Sequence, residues 1–500
     1  MIQNNQALSI SDFDQGLFTG SNFLQGNVNQ SPDCMNVKWN FDNSIQKRLG
    51  SSTSNTTALQ NTAGWAMFDF GATSLRWLCV SHGTGIAASS NGGTTFVSVH
   101  TSRTQAYQYF ERSKNVLIAC SDAFDDTYYW AGSAGTQMVQ LAVNSAPAAK
   151  YAINFQGFLI LLNTQESDNT LRPRAFFYVD DNDQLTDPWN DFFEFPSTQD
   201  DEITATFVLA KRLYVSTKFK IFRVTFTGGN PDWTFLEIKD WGFVPRTPKK
   251  VTLPEVGEVV MGMDWQGRIR VFDGVDDTFG SDRIENDNGM SEFATDKIGL
   301  AGSGLIISHA EVDRNQQEYR LNVAVGRESS ETTHAIILNT RVGAWYPYDN
   351  QNFQSTTMMD SGGKTFLMGC DRDGRVHIMN SGNTDSGTAI DDHFDSAFLF
   401  SKVPGEISKA KKGDLFFSPT SSGTIFIEDR ADFSNIYNSR ASFDIQENTS
   451  ATLLHKSFDI PSVHNVYQFR MSSSSNTANP WKLNRADLFG RVLGVGKGNG

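Results

Sequence analysis

Two acidic clusters are the first places where this chain could do chemistry. Asp180, Asp181, Asn182, Asp183 and Asp187 have the flavour of a calcium loop, since hard cations are held by several carboxylate and carbonyl oxygens. They lack the sixth-position glycine and the closing glutamate of an EF-hand. Asp371, Arg372, Asp373, Gly374 and Arg375 run into the apolar stretch 376–379, and Asp-Gly ahead of a strand is hairpin-turn chemistry. The eight histidines are scattered. His309 and His334 lie in or beside apolar runs, where a hydrogen-bonded structural imidazole is the expectation. Cys34, Cys79, Cys120 and Cys370 stand far apart with no CxxC pair, which reads as free buried thiols of a reducing compartment, not as a zinc or redox site. Motifs for phosphate loops, dinucleotides, metalloproteases and lipases are missing. The expectation is no enzyme, with no catalytic, cofactor-binding or metal residue and no cofactor.

One short motif points another way. Ser89, Asn91, Gly93, Thr95 and Phe96 resemble an Asp-box, S-x-D-x-G-x-T-W, with Asn for Asp and Phe for Trp. Its chemistry is that of a turn: the Asn amide bonds the turn backbone, glycine permits the tight geometry and the aromatic packs beneath. A polar hairpin loop explains the same residues. A propeller sialidase would need a clustered arginine set and a Tyr/Glu pair, which one degenerate copy does not place.

The elements that would carry these residues are strands. Aromatics make up 12% of the chain, with 38 Phe, and 41 Gly supply turns. From residue 64 to 390 a unit of short strand, turn and short strand recurs, as in 75–80, 115–120, 157–162, 212–216, 258–263 and 364–369. Its period of roughly 35–50 residues is that of a propeller blade of about four strands. A lone blade would expose two apolar faces, and radial packing buries them. The fold read from this is all-β: an N-terminal arm and linker at 1–63, a β-propeller of about six or seven blades at 64–390, and a small β-sandwich-like domain with a flexible tail at 391–500. The arm, with its strand-turn-strand piece at 37–49, reads as partly an assembly element that needs edges supplied by the propeller or by a neighbouring subunit, so that its loss would harm incorporation into a particle more than secondary structure.

The formal charge is −14 and the pI near 5.1, which argues against gripping a nucleic-acid backbone and permits a surface that DNA passes without sticking. Acids available for such a wall are Asp200, Asp201 and Glu202, Asp276 and Asp277, and Asp391 and Asp392. A basic run, Lys409, Lys411 and Lys412, falls in the C-terminal segment. No basic-then-apolar leader opens the sequence, and no stretch reaches the ~20 apolar residues of a membrane span.

Four phrases near the N-terminus resemble the opening of a group of bacteriophage virion proteins that reads DFxGGL, a Pro-containing segment, NVxFD and KRxG. They stand here at 12–17, 31–33, 36–42 and 47–50. Asp14-Gln15 departs from the usual pair, Leu49 replaces a common Pro, and Trp39-Asn40 adds a residue. Later phrases at 343–345, 369–376 and 385–390 are similar to the same group's GxW strand and GxxDGxVY hairpin near the end of its propeller. The resemblance implies a tail nozzle or hub subunit of a short-tailed phage, assembled in the host cytoplasm into a homo-oligomeric ring, sixfold in that group. Its implied partners are a tail adaptor and spike, fibre or needle proteins, with double-stranded DNA passing through and no membrane. A host-glycan-binding tail protein and a propeller glycosidase are the alternatives.

Overall fold

Second strands of the recurring units are buried almost without a break, and the computed structural model shows why. In Phe158–Gln165, Leu159 through Thr164 are all buried, whereas the preceding strand, Ala148–Phe155, buries every second residue. A strand flanked by sheet on both sides and covered on both faces has no side facing water. The structure describes the chain outside residues 1–5, 19–27, 60–63, 73–74, 106, 142–145, 181–187, 190–191, 199, 229–231, 255, 275–302, 325–330, 401–405, 420–422, 446–452, 461–462, 465, 474–479 and 496–500.

Seven antiparallel meander sheets follow one another among the described residues, and they make a β-propeller. Their inner strands are Gly64–Gly71, Gln108–Ser113, Ala148–Phe155, Ile203–Leu209, Lys249–Leu253, His309–Asp313 and Phe353–Ser361. Each blade touches the next, and the seventh inner strand lies against the first, so the ring closes. Closure uses the N-terminal region. Ser51–Thr53 pairs with Val376–Met379 as the outer strand of the seventh blade. Among the described residues one five-residue helical turn, Ser303–Ile307, interrupts the strands.

The remaining strands form two sheets. In one, Val37–Trp39, Ile45–Lys47, Lys482–Val495, Glu406–Ser418 and Leu454–Asp459 lie in that order, and Gln6–Ile10 also pairs with Lys482–Val495. In the other the order is Cys34–Met35, His393–Asp395, Val466–Ser473, Thr424–Ala431 and Asn438–Asp444. Residues of both sheets share one apolar core that continues into the fifth and sixth blades. The stretch read as an arm is therefore not separate. Its strands are built into the C-terminal sheets, where they supply apolar side chains that those layers bury, Val37, Trp39 and Ile45 among them, and into the seventh blade, where Ser51–Thr53 adds backbone pairing.

Candidate functional site

Residues of the N-terminal phrases meet segments hundreds of residues later at a buried junction. Leu17 N–H donates to the Trp345 carbonyl at 2.8 Å, and Gly16, at φ +69°, lies so close that a Cβ there would sit 2.5 Å from that oxygen. Ser31 Oγ donates to the Asp395 carbonyl at 2.7 Å. Trp39 stacks on Tyr346 with ring centroids 5.6 Å apart, and Asn339 Nδ2 donates to the Trp39 carbonyl. Arg48 donates Nη1 to Asp385 Oδ1 at 2.9 Å and Nε to Asn36 Oδ1 at 2.7 Å. Gly50 N–H donates to the Gly382 carbonyl, and a Cβ on Gly50 would collide with the Thr384 backbone. The 369–376 phrase joins through Val376 N–H, which donates to Asn55 Oδ1 at 2.8 Å.

Below this lies a buried ion pair. Lys47 Nζ is 2.8 Å from Asp392 Oδ1, and Asp392 also accepts from Trp481 Nε1 at 2.7 Å. Replacing Lys47 by Met should cost about 3–5 kcal/mol, because it strands a buried carboxylate. The double variant Lys47→Met, Asp392→Leu should recover much of that loss in chemical denaturation. Equal instability of single and double variants would contradict this account.

The second place of interest is the propeller axis. A chamber of about 340 Å³ lies where the inner strands begin, and all seven blades contribute to it. Its wall changes around the ring. Blades one to three bring Phe68, Tyr109, Phe110 and Tyr151; blades four and seven bring Thr206 and Thr356; blades five and six bring Arg246, Lys249 and His309. Glu111 lines the chamber and is half-buried. Burial pushes its carboxyl up to about 8, against the pull of the Asn154 and Arg112 backbone N–H groups. His309 is buried, and burial, reinforced by Arg246 and Lys249, holds its pKa well below the usual range. Its ring nitrogens meet no partner in good geometry, although the Ile307 carbonyl is close enough to favour an N–H.

The residues singled out from sequence have separate fates. The Asp-box-like turn forms as that motif requires, between Gly85–Ser89 and Val97–His100: Thr95 N–H donates to Asn91 Oδ1 at 3.0 Å, Gly93 N–H donates to Ser89 Oγ at 3.0 Å, and Phe96 packs on the apolar layer beneath. Asp371 Oδ1 accepts from Arg375 N–H in its turn, and its Oδ2 lies 2.8 Å from His377 Nε2. His334 Nδ1 lies 3.0 Å from Thr333 Oγ1. All four cysteines are free and buried, and burial raises the thiol pKa of Cys34, Cys79 and Cys120.

Two of the acids expected in a repulsive wall are internal. Asp201 accepts from Thr217 Oγ1 at 2.7 Å, and Asp392 is the partner of Lys47. Glu202 pairs with Lys150, while Asp200 and Asp391 are exposed. Asp181, Asp183, Asp187, Asp276 and Asp277 lie outside the described residues. Among the described residues no group of three or more His, Cys, Asp or Glu could hold a metal ion, and no helix is long and apolar enough to cross a membrane.

No family model and no curated protein matches the chain. Solved structures that are similar include the WD40 domain of Toxoplasma gondii coronin, with 10% identity and TM-score 0.38 over 69% of this chain and 87% of that one. The β-propeller domain of Cps50 (Swd1) from Myceliophteria thermophila is similar at 11% identity and TM-score 0.42, over 65% and 99%. The Neurospora crassa Pan2 WD40 domain gives 9% and 0.40, over 67% and 94%. At such values the likeness says nothing beyond the propeller architecture that the sheet order already displays.

Proposed function

We propose that this chain is a structural, non-enzymatic subunit of the tail of a short-tailed bacteriophage, part of the nozzle or hub through which the genome leaves. The observation that supports it most is the junction: two of the early phrases that resemble phage virion proteins bond directly to later ones, Leu17 to Trp345 and Arg48 to Asp385. Gly16, Asn36, Arg48, Gly50 and Asp385 each have a packing or hydrogen-bonding reason to be what they are. A propeller clamped to a second unit through a continuous core suits a part that transmits force without deforming. The propeller axis is not the conduit. A chamber of about 340 Å³ cannot pass a duplex, so DNA would run between subunits of a ring, and tail adaptor, spike or fibre proteins would dock on its faces.

Purified virus particles probed with an antibody to this chain should show label at the tail tip. The isolated protein should also fail to retain double-stranded DNA at low salt, where a basic binder is tightest. Absence of the chain from particles, or tight binding of DNA with a steep salt dependence, would overturn the reading.

A further inference from the structure

Ser386, His377 and Asp371 form a chain of polar contacts at the outer edge of the seventh blade. His377 Nε2 lies 2.8 Å from Asp371 Oδ2, and His377 Nδ1 lies 3.0 Å from Ser386 Oγ. Three pieces of the fold bring them together. Lys364–Asp371 ends on the acid, Val376–Met379 carries the imidazole, and the tight turn between Thr384–Asp385 and Thr388–Ala389 carries the serine. Ser51–Thr53 runs between the last two. Ser386 N–H donates to the Ser51 carbonyl at 2.8 Å, and Ser381 N–H to the Gly50 carbonyl at 2.9 Å. Backbone bonds thus hold this hairpin in place, and the Ser386 hydroxyl is not needed for that.

The side chains differ in access as an activated nucleophile requires. His377 is buried, with its ring edge-on to Phe353 at a centroid distance of 5.4 Å, whereas Ser386 is exposed. A carboxylate only accepts, so Asp371 places the imidazole proton on Nε2 and leaves the lone pair of Nδ1 facing the Ser386 O–H. Asp371 is itself fixed by Arg375 N–H, which donates to its other oxygen at 2.8 Å. A hydroxyl beside a base that a third group orients is the setting of a nucleophilic serine.

The surrounding backbone sets the class of reactant. Ser386 N–H is given to Ser51, and Gly387 N–H to Thr384 Oγ1 at 3.2 Å, so neither is free to hold an oxyanion. Without that help only an acyl donor with a good leaving group reacts, and the acyl-serine, whose leaving group is an alkoxide, persists.

We propose that Ser386 is an acylation site for activated acyl donors, with His377 as its base and Asp371 as the positioning residue. A bond forms between Ser386 Oγ and the donor's carbonyl carbon, and the bond from that carbon to the leaving group breaks. The serine proton passes through His377 Nδ1 to the leaving group. Uptake is stoichiometric, without turnover, so the inference goes beyond the tail reading and neither requires the other.

The test exposes the full-length protein to p-nitrophenyl acetate at neutral pH, following p-nitrophenolate release and mapping acetylation by peptide mass spectrometry. Ser386 should carry acetyl, and Ser386→Ala should lose the corresponding burst. His377→Gln, with its fold checked by circular dichroism, should slow acetylation of Ser386 at least about 100-fold. Asp371→Asn is the second variant: its oxygen can still accept from Arg375 N–H, but its amide N–H faces Nε2 and moves the imidazole proton to Nδ1. It should slow acetylation at least about tenfold, and nitrogen NMR of the imidazole should show the change of tautomer. An unacetylated Ser386, an unchanged rate in a folded His377→Gln or Asp371→Asn protein, or a wild-type imidazole with its proton on Nδ1 would each overturn the proposal.

Discussion

Removing residues 1–50 should abolish cooperative folding of the C-terminal sheets and loosen the propeller. Those residues contribute Gln6–Ile10, Cys34–Met35, Val37–Trp39 and Ile45–Lys47 to two sheets, and they tether the strand that closes the ring. Trp39 alone is fully buried and stacked on Tyr346, and truncating such a side chain to Ala costs about 3–5 kcal/mol. Loss of Lys47 would leave Asp392 as an unpaired buried charge, at a similar cost. Loss of Phe13, Leu17, Val37 and Ile45 would leave further gaps in the same core. Against a typical stability of about 5–15 kcal/mol, the sum exceeds what a domain can lose. Near-UV circular dichroism and scanning calorimetry of the truncated chain should show lost tertiary signal and a lost or greatly lowered transition. A truncated protein that melts like the full chain would show these strands to be dispensable. The sequence alone suggests a partial assembly element whose deletion would damage incorporation into particles more than secondary structure; on this fold, an assembly defect in such a deletion would follow from unfolding.

What could be read in advance followed how locally each feature is encoded. The propeller was legible because each blade repeats the same local instruction, an apolar run such as 159–162 or 213–215 between turn residues. The Asp-box-like turn was legible for the same reason, since Ser89 and Asn91 bond atoms two to four residues away. Placement of residues 1–50 was not legible. Val37–Trp39 announces itself as a strand, but nothing local says that its sheet partners include Lys482–Val495, more than 400 residues later. The chamber escaped for a related reason. Glu111, Arg246, His309 and Thr356 come from different blades, so no spacing marks them, and Arg246 lies in a connection whose φ no motif betrays. The acids at 201 and 392 misled because a charged residue in a polar run is ordinarily solvated, and only the fold supplies the Thr217 and Lys47 partners that make burial tolerable.

Replacing Glu111 by Gln should make the propeller more stable in mild alkali and leave it unchanged in mild acid. The carboxyl titrates near 4.5 in the unfolded chain and is pushed up to about 8 in the folded one, chiefly because burial penalises its charge. Below pH 4.5 both states hold the proton and the group does not disfavour folding. Between 4.5 and 8 the folded state keeps the proton while the unfolded state releases it, so stability falls steadily as pH rises. Above 8 both states are ionised and the loss is complete, on the order of 3–5 kcal/mol. A glutamine at this position cannot ionise, and its amide oxygen can still accept the backbone N–H bonds that Glu111 receives from Asn154 and Arg112. His309 acts in the opposite sense and at lower pH: its depressed pKa contributes stability above about 6.5 that is lost as pH falls. It is common to both proteins and cancels in the comparison. Melting temperatures measured from about pH 5 to 9 should therefore start together and diverge, with the Glu111→Gln protein higher by several degrees at the alkaline end. Parallel curves would mean that water reaches the carboxylate freely and that burial does not hold its proton.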